Sequence, residues 1–328
     1  MKILVYGAGN IGSVYAALLQ RAGRQVSILA RGSRLAQIQT FGIELENSAS
    51  GERTTTFVDC VERLDAEDAY DLVLVILPKN HIREVLPTLA ANRCVPSLLF
   101  MCNNAAGPAE IVEALGRDRI LLGFPGAAAV DEGGAIRYLI TSAREQPTTI
   151  GEMDGRRSPR IVRIAEALGK AGFPVAICAN MDAWLKTHVA EISPTANALF
   201  MAGGSRGRLA HDREALQLML RAIREGYKVL RSLDVPITPA NHRIFEWLPE
   251  RLLLAILRRQ VTSEDAAVKI GHALGAQAEM RWLAEEFEEL AMRTRVPTPA
   301  IDRLRQYVGS DGGHGSENRN VVSATAAM

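Results

Sequence analysis

The sequence has no apolar run long enough to cross a bilayer, which takes about 20 residues as a helix. Its start, MKILVYGAGNIG, lacks the charged, apolar and cleavage segments of a secretory signal. A soluble, cytoplasmic protein is expected, with no membrane partner. Cys60, Cys94, Cys102 and Cys178 show no CxxC or CxxH spacing, and no trio of His, Asp, Glu or Cys is spaced as metal ligands. Free thiols and no metal are expected. Basic charge is not in excess either: 38 Lys and Arg face 37 Asp and Glu, for a formal net charge of +1, with no basic run. Nothing therefore points to nucleic acid as a partner. There is no internal repeat.

What is present is the composition of an ordinary globular protein, 48% hydrophobic and 23% charged, over 328 residues. That length exceeds one ordinary core and favours two domains. Residues 2–6, KILVY, are strand formers followed at once by Gly7-Ala8-Gly9-Asn10-Ile11-Gly12 and then by the helix-forming SVYAALLQRAG. This is GxGxxG in the strand–turn–helix context of a dinucleotide site. The first glycine makes the tight turn, the second lets backbone N–H groups of Asn10 and Ile11 approach a pyrophosphate, and the third lets helix pack on strand.

A second strand, residues 25–30, chooses the cofactor. An NAD-selective fold places Asp or Glu at its end. Here it runs into Arg31-Gly32-Ser33-Arg34. Guanidinium groups suit a 2′-phosphate, so NADP(H) is favoured over NAD(H), against the plainer reading of Arg31 and Arg34 as solvated charges.

Short strands are expected at 42–46 and 53–58, and apolar ones, covered on both faces, at 71–77, 97–101 and 119–123. With the intervening helices they imply an α/β, Rossmann-type, doubly wound parallel sheet. Lys79, Asn103 and Asn104 follow strand ends and would face the ligand crevice. Residues 159–172 read as an amphipathic helix and 173–177 as a last strand. Beyond them the apolar spacing of three and four predicts helices at 181–202, 212–233 and 278–294. The domains expected are an NADP-binding domain over 1–178 and an all-helical substrate and catalytic domain over 179–308, with a disordered tail over 309–328, where His314 is a solvated side chain.

The segments GAGNIG, ARGSRLAQIQTFGIELE, LPK, NNAAGPAE, AWLKT and RVPTPAIDRL occur in that order, and with them the chain resembles the ketopantoate reductase (2-dehydropantoate 2-reductase) family over residues 1–308. The resemblance implies NADPH-dependent reduction of a 2-oxo acid to a 2-hydroxy acid, ketopantoate to pantoate in pantothenate biosynthesis. It implies that Lys79 contacts cofactor, that Asn104 lies by the nicotinamide and substrate, that Lys186 is the catalytic lysine, and that Glu279 binds substrate. The chemistry is consistent: hydride arriving at a carbonyl carbon leaves charge on oxygen, which a nearby ammonium stabilises and then protonates as general acid. Two plainer readings stand beside these roles. Lys186 is also what a snorkelling surface lysine would look like, and Glu279 a member of an exposed acidic face with Glu285, Glu286, Glu288 and Glu289.

The departures lie in substrate recognition. Where the family has asparagines four and eight residues after the catalytic lysine, this sequence has Ala190 and Pro194; a family serine falls on Ala267. Ser193 and Asn197, seven and eleven residues after Lys186, share its helical face and are candidate replacements. His188 points away from Lys186 and is not its partner, and His81 is read as a plain side chain, with reach to the cofactor as the lesser alternative. Two other readings remain: a related reductase acting on another 2-oxo acid or an imine, and a non-catalytic NADP(H)-binding sensor. A monomer or homodimer is expected.

Overall fold

The computed structural model describes residues 1–263, 268 and 274–308; the tail expected over 309–328 and Ala267 lie outside the described residues. The chain begins with β1 (Lys2–Tyr6), α1 (Asn10–Arg21), β2 (Gln25–Leu29), α2 (Gly32–Phe41), β3 (Ile43–Asn47), β4 (Arg53–Thr56), β5 (Asp59–Val61) and β6 (Leu72–Val75). It continues with α3 (Ile82–Ala91), β7 (Leu98–Met101), α4 (Ala109–Leu115), β8 (Ile120–Phe124), β9 (Ala127–Glu132), β10 (Ala135–Ile140), β11 (Thr148–Glu152), α5 (Pro159–Lys170) and β12 (Val175–Ile177).

The large sheet has the order β12-β11-β8-β7-β6-β1-β2-β5. β5, β2, β1, β6, β7 and β8 pair in parallel. Strand β11 runs antiparallel to β8 and carries β12 parallel to itself, an edge that the expectation of a parallel sheet did not include. A second sheet, β4-β3-β10-β9, lies apart from the first. Its strands β3 and β4 were expected; the hairpin β9–β10 was not. The chain feeds β2 to one side of β1 and β6 to the other, so the topological switch point lies at β1, and crevices open beyond the carboxyl ends of strands at such a point.

From α6 (Met181–Met201) the chain is helical: α7 (Arg206–His211), α8 (Arg213–Ser232), α9 (Ile244–Trp247), α10 (Glu250–Thr262), α11 (Gln277–Met292) and α12 (Pro299–Arg305). The Asn180 side chain caps α6 by accepting from the Ala183 N–H, and Asp212 caps α8 the same way. Met181, Trp184 and Leu185 are buried with Phe100 and Leu122 in the core on one face of the large sheet. The start of α6 is thereby fixed to the strands that carry the crevice. Helix α6 continues through Pro194 without interruption, so Ala190 and Pro194 do stand one and two turns beyond Lys186. No helix of the described residues is long and apolar enough to cross a membrane.

Candidate active site

The three glycines of the first turn differ in what surrounds them. Gly7 has φ +126, which favours glycine, and a methyl group there would come 2.3 Å from the Ile76 carbonyl oxygen. A methyl on Gly12 would come 1.9 Å from the Gly7 carbonyl oxygen, so helix and strand touch through it. A methyl on Gly9 would meet nothing within 4 Å. Gly9 caps α1 with no side chain and α1 has no acid in its first turn, which leaves the first-turn N–H groups without an intrahelical partner.

Asn10, Ile11 and Gly12 line a cleft of about 640 Å³, bounded also by residues following β6, β7 and β8, by Asp131 of β9 and by Glu279 of α11. Asn80 Oδ1 and Asn103 Oδ1 are buried in its wall without a hydrogen-bond partner. Open space before Gly9, free N–H groups and two orphaned amide oxygens fit a polar, phosphate-bearing dinucleotide.

The two arginines after β2 divide. Arg34 donates from Nε to the Ala8 carbonyl (3.1 Å), from Nη2 to Ser13 Oγ (2.8 Å) and from Nη1 to Gln37 Oε1 (2.7 Å), which ties α2 to the glycine turn. Burial pushes its pKa down, while the charges of Asp131 and Cys60 push back. Arg31 is exposed and holds only the Glu62 carbonyl by Nε.

Four buried side chains meet where the helices close over β6 and β7. Glu279 Oε1 accepts from the Lys79 backbone N–H and from Asn103 Nδ2, both at 3.1 Å. Lys79 Nζ lies 3.5 Å from Glu286 Oε1. Glu286 belongs to this site and not to the exposed acidic face that residues 285–289 suggested: it stands on the same side of α11 as Glu279, seven residues on, while Glu285 and Glu289 face solvent. Of Lys79, Asn103 and Asn104, Asn103 alone lines the cleft. The Asn104 side chain turns back to accept from the Gly107 N–H at 3.0 Å. Cys102, next to this cluster, is driven up to about 12 by burial; Lys79 lowers it, and Glu279 and Glu286 raise it. It is a buried thiol whose surroundings disfavour the thiolate.

Lys186 is buried at the other end of the same turn. Its Nζ is ion-paired with Asp182, and a methyl on Gly107 would lie 3.3 Å from it. Ser193 and Asn197 lie elsewhere. They line a separate cavity of about 30 Å³ between α6, α11 and α12 that shares no wall residue with the cleft. Roughly 10 and 16 Å of helix rise separate them from Lys186, although they share its face. His188 stacks on Trp184 and against Phe124, and burial drives its pKa down to about 4. His81 lines the cleft.

Residues 3–155 match the family model described as ketopantoate reductase PanE/ApbA. A 2-dehydropantoate 2-reductase of Mesorhizobium japonicum is 29% identical over 212 residues, 57% of this chain and 63% of that one. Over these residues the chain is similar to the ketopantoate reductases. The match to the Mesorhizobium protein spans less than two thirds of that relative's length. A 2-dehydropantoate 2-reductase of Aquifex aeolicus is 25% identical over 248 residues, 72% of this chain and 74% of that one. The fold extends further: a PanE/ApbA family ketopantoate reductase from Ralstonia eutropha JMP134 superposes with TM-score 0.71 at 19% identity, covering 94% of this chain and 97% of the other. A D-mandelate dehydrogenase holding NADH and anilino(oxo)acetate superposes with TM-score 0.74 at 14% identity, with the same coverage.

Proposed function

We propose that this protein reduces a 2-oxo acid to the 2-hydroxy acid at the expense of NADPH, with ketopantoate the first substrate to test. The observation that carries the reading is the cleft itself, with the free N–H groups of α1 on one wall and Glu279 with Asn103 on the other. The dinucleotide, when bound, supplies the hydride. The backbone of Asn10, Ile11 and Gly12 receives its pyrophosphate, and Arg31 meets the 2′-phosphate that distinguishes NADPH.

Glu279 keeps one carboxylate oxygen free of the two donors on Oε1 and orients the substrate with it. Asn103 offers its unpartnered Oδ1 in the same wall, and the turn that the Asn104 side chain closes ends at Gly107, beside Lys186. Lys186 gives the proton to the nascent alkoxide, exchanging its contact with Asp182 for the substrate oxygen. The NADH-bound D-mandelate dehydrogenase of similar fold and the curated 2-dehydropantoate 2-reductases support this class of chemistry.

A second reading, a different 2-oxo acid or an imine, is favoured by the absence of a hydrogen-bonding side chain at Ala190 and Pro194, where the family has asparagine; both line the same separate cavity as Ser193 and Asn197, and none of the four lines the cleft. The test is the rate of NADPH absorbance loss with ketopantoate and with a panel of other 2-oxo acids and imines. Ketopantoate turnover supports the first reading, turnover of another member supports the second, and none with any member supports a non-catalytic NADP(H)-binding protein.

A further inference from the structure

Glu286 makes more contacts to the floor of the site than any residue the family resemblance pointed to. Its Oε2 accepts from the backbone N–H groups of Ala105 (3.0 Å) and Ala106 (3.1 Å). Its Oε1 accepts from Trp282 Nε1 (2.9 Å) and stands 3.5 Å from Lys79 Nζ. Lys79 and Glu286 are both buried, so their charges are desolvated together, and removing one would strand the other. The turn that Glu286 grips begins at Asn103, which faces the cleft, and ends at Gly107, with φ +87, beside Lys186. One carboxylate thus anchors both the lysine after β6 and the turn after β7 to the helical part of the chain.

We propose that Glu286 is a positioning residue for the reduction proposed above, on which this inference rests: it fixes the Lys79 ammonium and the 103–107 turn, and through that turn the Asn103 side chain in the cleft wall and the Gly107 backbone beside Lys186. Two functions of the carboxylate are separable by substitution. Glu286→Gln keeps an oxygen for the Ala105 and Ala106 N–H groups but leaves Lys79 without a counter-charge. Glu286→Ala removes both.

The experiment combines hydrogen exchange at Ala105 and Ala106 in the cofactor-free protein with NADPH titration of the variants in the wild-type and Lys79→Met backgrounds. Glu286→Ala is expected to speed exchange of the two amides by about tenfold or more, while Glu286→Gln leaves them within about threefold of wild type. Glu286→Gln is expected to change the NADPH Kd by about fivefold or more when Lys79 is present and by less than about twofold in Lys79→Met, because the effect passes through that lysine. Unchanged exchange in Glu286→Ala, or an equal effect of Glu286→Gln in both backgrounds, overturns the inference. Should the wild type bind no NADPH, the cofactor reading fails by itself, and the exchange measurement still decides whether Glu286 holds the turn.

Discussion

Gly9 and Gly12 give the sharpest separation between what the fold requires and what a ligand requires. Gly9 has φ −70 and ψ −179, open to any residue, and a methyl there meets no protein atom within 4 Å. Gly9→Ala relieves the unfolded chain of entropy by about 0.4–1 kcal/mol and weakens the N-cap by at most about 1 kcal/mol. The two nearly cancel, so its unfolding free energy should stay within about 1 kcal/mol of wild type. The added methyl nonetheless occupies the space through which a pyrophosphate reaches the α1 N–H groups. NADPH affinity should fall at least about tenfold, or about 1.4 kcal/mol.

Gly12→Ala behaves in the opposite way. Its methyl would sit 1.9 Å from the Gly7 carbonyl oxygen, so α1 must move off the strand turn, at a cost of about 1–3 kcal/mol of stability even without ligand. Urea unfolding of the cofactor-free proteins and NADPH titration by fluorescence measure the two quantities. A stable Gly9→Ala that binds NADPH as tightly as wild type would refute the placement of the cofactor against this turn.

Arg31→Ala should weaken NADPH binding at least about tenfold while leaving NADH binding within about twofold, because only the 2′-phosphate loses a partner; parallel titrations with both cofactors check this. Tyr15 Oη shares a hydrogen bond of 2.6 Å with Thr148 Oγ1 and accepts from the Gly126 N–H at 3.1 Å, fully buried against Phe173. Tyr15→Phe should therefore lower unfolding free energy by about 1–3 kcal/mol in urea denaturation. His188, held near a pKa of about 4 by burial, stays neutral in the fold while the unfolded chain protonates it from about pH 6.5 downward. Stability from this group is thus complete above about pH 6.5 and falls as pH drops toward 4, by up to about 3 kcal/mol. In His188→Phe the slope of urea stability against pH over that range should flatten.

The α/β half was legible because its strands are short apolar runs, and β1, β6, β7 and β8 begin and end within two residues of the expected positions. The glycine turn was legible because steric need restricts Gly7 and Gly12 to one residue type. Strands β9, β10 and β11 were not foreseen. Ala127–Glu132 and Thr148–Glu152 carry small and polar residues, and neither makes a long hydrophobic run. The Gly133–Gly134 pair between β9 and β10 was the available hairpin signal.

Glu286 was hidden among four glutamates, because its main partners are backbone N–H groups, which have no sequence signature. The seven-residue spacing from Glu279, next to the buried Phe287, was the one trace of it. The helical face shared by Lys186, Ser193 and Asn197 was read from periodicity; that α11 and α12 enclose the last two in a cavity of their own is tertiary packing, and periodicity does not encode it.

The most direct test of the account is NADPH oxidation by purified protein with ketopantoate and a 2-oxo acid panel, run beside Lys186→Ala, with NADPH affinity measured in both. The account predicts turnover of at least one 2-oxo acid that falls about 100-fold or more in Lys186→Ala, with NADPH Kd unchanged. Turnover that survives the loss of Lys186 would contradict the role given to that ammonium, and a wild type that binds NADPH but reduces no member of the panel would contradict the reductase itself.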